Sequence, residues 1–66
     1  MRWAERQRHA FIAERLAVTG SIRRKDLIEK FEISVPQASV DFRRYREAHP
    51  EMAYDPSRKC YVVHGQ

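Results

Sequence analysis

The residues of this chain best suited to chemistry lie in one segment: Gln37, Val40, Arg43 and Arg44. At 100° per residue they share one side of a helix with Pro36 and Glu47. Val35, Ala38, Phe42, Tyr45 and His49 form the opposite, packing stripe. A helix entering the major groove of B-form DNA needs side chains that reach base edges near its N-terminus. Gln37 has the amide geometry to pair with adenine, Arg43 or Arg44 suits guanine or phosphate, and Val40 suits a thymine methyl. The plainer alternative is a solvated helix with one isolated exposed Val.

Two further groups of cations could support such a face. Arg23, Arg24 and Lys25 open a shorter helical segment. Cations there oppose the helix dipole, which suggests an external anion, and helix N-termini bind phosphate. Arg58 and Lys59 follow an Asp55-Pro56 turn opener, where a hairpin tip would meet sugar-phosphate or the minor groove. The plainer alternative for either group is ordinary surface charge. Asp41, beside the candidate face, would repel phosphate, so it is expected to be structural, with Arg15 as its partner.

Catalytic chemistry finds no support. There is no Ser-His-Asp arrangement, phosphate loop or Gly-rich turn. His9, His49, His64 and Cys60 lack zinc-ligand spacing. No enzyme activity, cofactor or metal is expected. With 66 residues the chain is at most one small domain, and it leaves little room for a shielded pocket. Thirteen Lys and Arg against nine Asp and Glu give a net charge of +4, which favours polyanionic partners without proving one. A single Cys excludes an internal disulfide, no apolar run is long enough to span a membrane, and residues 2–6 open no secretory signal. These features point to a soluble protein of a reducing, intracellular compartment.

The elements that must position the candidate face follow from periodicity and caps. A first helix is expected over about 4–19, burying Phe11, Ile12 and Leu16 with Ala4, and stopping at Gly20. Residues 21–23 suit a brief extended connector. A second helix, 24–31, buries Leu27, Ile28 and Phe31, with Ile22 and Leu27 as a hydrophobic staple around an N-cap at Arg23. Ser34 and Gln37 have capping-box spacing, Pro36 fits a first turn, and Ile33 and Ala38 form a second staple. A third helix is therefore expected from Val35 to about Ala48, ending before Pro50. The three-residue link between the last two helices predicts a helix-turn-helix. Residues 52–63 read as strand, turn, strand, with undecided parity between Cys60/Val62 and Tyr61/Val63. Phe11, Phe31, Phe42, Tyr45, Tyr54 and Tyr61 are expected in the core. Trp3 lies off the stripe and suits a core edge or an interface, and His64, Gly65 and Gln66 suit a frayed end. The expected fold class is mainly α with a small β-hairpin: a winged helix-turn-helix of three helices plus a wing.

The stretches from Gly20 to Leu27 and from Phe31 to Asp41, with Tyr45, Pro50, Tyr54-Asp55 and Lys59 to Tyr61, carry a more specific likeness. Together they resemble the N-terminal winged helix-turn-helix of WYL-domain transcriptional regulators, particularly repressors accompanying bacterial phage-defence operons. That resemblance implies a cytoplasmic, homodimeric repressor binding double-stranded DNA at an inverted-repeat operator. Ser34, Gln37, Ser39, Arg43 and Arg44 would approach the DNA, and Tyr54 to Tyr61 would form the wing. Members of the family continue into a ligand-sensing WYL domain and a C-terminal extension, so this chain is expected to be an excised domain. Where the family turn often carries Gly, this chain has Glu32, which positive φ would strain.

The rival expectation is a protein-docking or dimerisation module, in which Val40 and Trp3 meet a partner chain. Salt separates the two, because duplex binding weakens steeply with ionic strength. RNA or single-strand binding would want aromatics displayed on a sheet larger than this hairpin.

Overall fold

The computed structural model describes residues 3–63, so the expected frayed end at His64 to Gln66 lies outside the described residues. The order is α1 (Trp3–Thr19), β1 (Ser21–Ile22), α2 (Arg24–Phe31), α3 (Val35–Ala48), β2 (Met52–Asp55) and β3 (Cys60–Val63). Gly20 ends α1 at φ 79°, with its N–H donating to the Leu16 carbonyl at 3.0 Å. Helix termination by a left-handed glycine is what its position promised.

The connector after Gly20 is more than a link. Ser21 pairs with Val62 and Ile22 with Tyr61, so β1 joins the hairpin in an antiparallel sheet of order β1-β3-β2. Two residues make a strand here because β3 supplies an otherwise open edge. On the other side Met52 pairs with Val63 and Tyr54 with Tyr61. Directly opposed residues share a face, so Ile22, Met52, Tyr61 and Val63 point together at the helices. This resolves the strand parity in favour of Tyr61 and Val63, although Cys60 is also buried.

Both staples form. Ile22 and Leu27 are buried around Arg23, and buried Ala38 follows Ile33, which packs against the core. At Arg23 the cap is one-sided: the Asp26 carboxylate accepts the Arg23 backbone N–H at 3.0 Å. The arginine side chain has only donors and cannot return the bond. At Ser34 the opposite half forms, the hydroxyl accepting the Gln37 backbone N–H at 3.2 Å. The reciprocal bond expected of a capping box is missing because the Gln37 amide turns to Asp41.

The core is built from Ile12, Leu16, Ile22, Leu27, Ala38, Phe42, Tyr45 and Met52. Phe42 stacks on Tyr61 at 4.2 Å between ring centroids, fastening α3 to the sheet. Three core expectations are corrected. Val35 is 56% exposed, because the first turn of α3 precedes the point where the helix meets its neighbours. Tyr54 is 41% exposed, lying edge-on against Tyr61 with its outer side in solvent. Ala4 is exposed, since the N-terminal turn of α1 projects beyond the core. Trp3 does not cap the core either, being 74% exposed.

The three-residue turn between α2 and α3 holds Glu32 at φ 53° and ψ 46°. A side chain in the left-handed region costs about 1–2 kcal/mol. Glu32→Gly is therefore expected to stabilise the fold by about 1 kcal/mol, raising Tm by about 4–8 °C in a thermal melt. An unchanged Tm would show that the turn carries no strain.

Candidate nucleic-acid interface

The middle of the face that α3 turns away from the core is formed by Pro36, Val40, Arg43 and Glu47, with Gln37 and Arg44 on the flank towards α1 and Ser39 and Arg46 on the other. Arg43 is exposed and forms no ion pair with any described residue. Val40, expected as an exposed apolar contact, is half-buried, so only part of its side chain is on offer.

Towards α1, the long side chains do not simply project into solvent. Arg44 donates from Nη1 to the Glu5 carboxylate at 2.5 Å, tying α3 to the first turn of α1. This hydrogen bond is the main cause holding the Glu5 carboxyl below its ordinary range. Gln37 donates from Nε2 to Asp41 Oδ1 at 3.1 Å. Asp41 itself is fully buried. It accepts two bonds from Arg8, from Nε to Oδ2 at 2.5 Å and from Nη2 to Oδ1 at 3.2 Å. Arg15, the expected partner, instead meets Asp26 at 3.6 Å, linking α1 to the start of α2. A polar groove of about 530 Å³ results, lined by Ala4, Glu5, Arg8, Gln37 and Arg44.

Glu5, His9 and Asp41 bring ligand-type atoms within 4.8 Å of one another. Both carboxylates are already engaged with guanidinium groups, so the cluster is balanced without a cation. Within it, burial holds the His9 imidazole below its ordinary value of 6.5; Glu5 and Asp41 act against that, and Arg8 and His49 act with it. A depressed folded value means the unfolded chain takes up the proton first as pH falls. Stability is accordingly complete above about pH 6.5 and declines below it until the folded imidazole also titrates. Urea midpoints of His9→Gln are expected to show a flatter decline between about pH 7 and 5. An identical pH profile would remove His9 as the cause.

Towards α2 and the hairpin, the expected cations partly converge. Arg24 donates from Nη1 to Ser39 Oγ at 3.1 Å, joining the start of α2 to the exposed side of α3. Burial raises the Tyr61 hydroxyl, and the charges of Arg24 and Arg46 pull it the other way. Both guanidiniums thus lie within electrostatic reach of the hairpin. Lys25 does not join them, because it leans along α2 to Glu29 at 3.8 Å. Arg23 is exposed as the N-cap of α2, and the Ser34 hydroxyl is occupied as the cap of α3. Arg58 and Lys59 are exposed in the hairpin turn. Asp55 organises that turn by accepting the Ser57 and Arg58 backbone N–H groups at 2.9 and 3.2 Å, and Lys59 takes φ 56°. Arg46 was not among the expected contacts, yet it is exposed and makes no ion pair with a described residue. Its spacing, three residues after Arg43 and seven after Ser39, was the available signal.

The family model described as the BrxR transcriptional regulator winged helix-turn-helix domain matches residues 4–66. The chain belongs to this family. This BrxR-type winged helix is also similar to proteins named DNA-binding transcriptional repressor CapW. The protein from Stenotrophomonas maltophilia is 40% identical over 64 residues, covering 96% of this chain and 21% of the relative. Those from Escherichia coli strain KTE188 and Pseudomonas aeruginosa are 43% and 41% identical over 61 residues, each covering 91% of this chain and 20% of the relative. The BrxR-type domain described here thus spans about a fifth of the length of these relatives. No helix among its described residues is long and apolar enough to cross a membrane.

Proposed function

We propose that this domain is the DNA reader of a bacterial transcriptional repressor of the kind that accompanies phage-defence operons, with α3 in the major groove. The observation that carries it is Arg43, exposed and unpaired among described residues at the centre of the outward face of a helix-turn-helix. Relatives named as DNA-binding repressors support the same reading. Affinity comes mainly from Arg23, Arg24, Arg43, Arg46, Arg58 and Lys59 on phosphates, with Lys25, Ser34 and Ser39 at the margins. Base discrimination comes from Gln37, Arg43, Arg44 and the exposed part of Val40. The domain performs no catalysis and works in the cytoplasm. In the full-length protein, a homodimer places two α3 helices on an inverted repeat.

Fluorescence anisotropy of a random duplex, titrated at several salt concentrations, tests this. Log affinity should fall linearly with log salt, by about 0.9 for each phosphate neutralised. Arg43→Ala is expected to weaken binding by about 1–3 kcal/mol if it reads a base, with preference relaxed at that position. A loss equal on all duplexes assigns it to phosphate instead. No retention of the duplex even at low salt would replace DNA with a protein partner, and Trp3 and Val18, 74% and 76% exposed on α1, are where that partner would sit.

A further inference from the structure

Gln37 lies at the third position of α3, where a major-groove helix reaches bases, and its amide is not free to turn. Its neighbour Asp41 is fully buried, and Arg8 donates to both of its carboxylate oxygens. A carboxylate so paired is an acceptor only. The Gln37 group facing it must therefore be the NH2, as the 3.1 Å contact from Nε2 to Oδ1 has it. Were the amide reversed, two acceptor oxygens would face each other beside a buried charge.

We infer that Asp41 is a positioning residue for base recognition, fixing Gln37 so that it presents Oε1 and its second N–H outward and selects adenine. The inference rests on the DNA-binding reading above. In the major groove adenine offers an N6 donor beside the N7 acceptor, which matches an outward Oε1 next to an N–H. Guanine offers only acceptors there and thymine the O4 acceptor with a methyl group, so each meets the outward oxygen unfavourably, while cytosine offers its N4 donor to that oxygen but no acceptor beside it for the N–H. A free glutamine can rotate to suit either purine. Arg8, although not itself aimed at a base, holds the carboxylate in place, so the discrimination originates in a triad centred on buried Asp41 that includes α1.

Selection from a pool of random duplexes tests this with the chain as it is. The wild type is expected to enrich adenine at one position, and Gln37→Ala to lose that enrichment by about tenfold. Asp41→Asn keeps the shape but lets the facing group donate or accept, so Gln37 can reverse. Circular dichroism first establishes that this variant is folded; its preference for adenine over guanine at that position should then fall about tenfold. Should it not fold, the wild type can still overturn the inference, because replacing the selected adenine with purine, which lacks the N6 amino group, should weaken binding about tenfold. A Gln37-dependent preference for any other base, an unchanged preference in folded Asp41→Asn, or indifference to purine would overturn the inference and leave duplex binding standing. A wild type that retains no duplex even at low salt would overturn the DNA-binding reading itself, and this inference with it.

Discussion

Asp41→Ala is expected to destabilise the domain by about 3–5 kcal/mol. Asp41 is fully buried, and the Arg8 side chain is only 15% exposed. Removing the carboxylate leaves a guanidinium largely excluded from water with no counter-charge, and it also releases the Gln37 amide. A chain of 66 residues has about 3–10 kcal/mol of total stability. The variant should therefore lose about a third or more of its stability, and unfold at 25 °C if the total lies below about 5 kcal/mol, as read by circular dichroism and urea titration. The control is a double replacement, Arg8→Met with Asp41→Leu, which removes both charges and fills the space. It should recover most of the loss, since a buried pair is rarely more stabilising than a well-packed apolar one. A loss below about 1 kcal/mol for Asp41→Ala would mean that solvent reaches Arg8 readily.

Phe42→Ala is expected to be equally damaging, by about 3–5 kcal/mol, for a different reason. Its ring is 1% exposed and lies parallel to Tyr61 at 4.2 Å, with an interplanar angle of 4°. Truncation opens a cavity between α3 and the sheet, and it removes the contact that sets where the hairpin sits relative to the candidate face. Phe42→Leu should recover part of the stability by refilling some of that volume. If duplex binding by the folded fraction of Phe42→Leu falls more than its stability predicts, the wing position matters to recognition. Equal losses would confine Phe42 to packing.

The framework of the fold was legible because its signals are local. Gly20, Ser34 and the two staple pairs each act within a few residues of themselves, so spacing alone places them. What could not be read depends on distances the fold creates. Arg8 and Arg15 stand two turns apart on one face of α1, about 10 Å along its axis. Periodicity identifies the face that meets Asp41, but only the packing of α1 on α3 chooses which turn lies opposite. β1 was missed for the same reason: two residues have no strand signal until β3, nearly forty residues later, lies beside them. In the candidate interface, the helical wheel anticipated the direction of Arg43, which forms no ion pair with any described residue. It could not anticipate that Gln37 and Arg44, pointing nearly the same way, would be drawn to acceptors on Asp41 and Glu5. Side chains that long are governed by their neighbours as much as by their Cβ vectors.

The sheet order β1-β3-β2 puts the last-made of the described strands in the middle. During synthesis from the N-terminus, β1 and β2 both leave the ribosome before the strand that joins them exists. Until residues 60–63 emerge, Ile22 and Met52 lack the backbone ladder that holds them against the helices, and Phe42 has no Tyr61 to stack upon. The nascent domain consequently completes its structure in one late step. A chain broken off before Cys60 would lose the sheet that unites both ends of the domain, leaving helices without a covering layer for proteases to find.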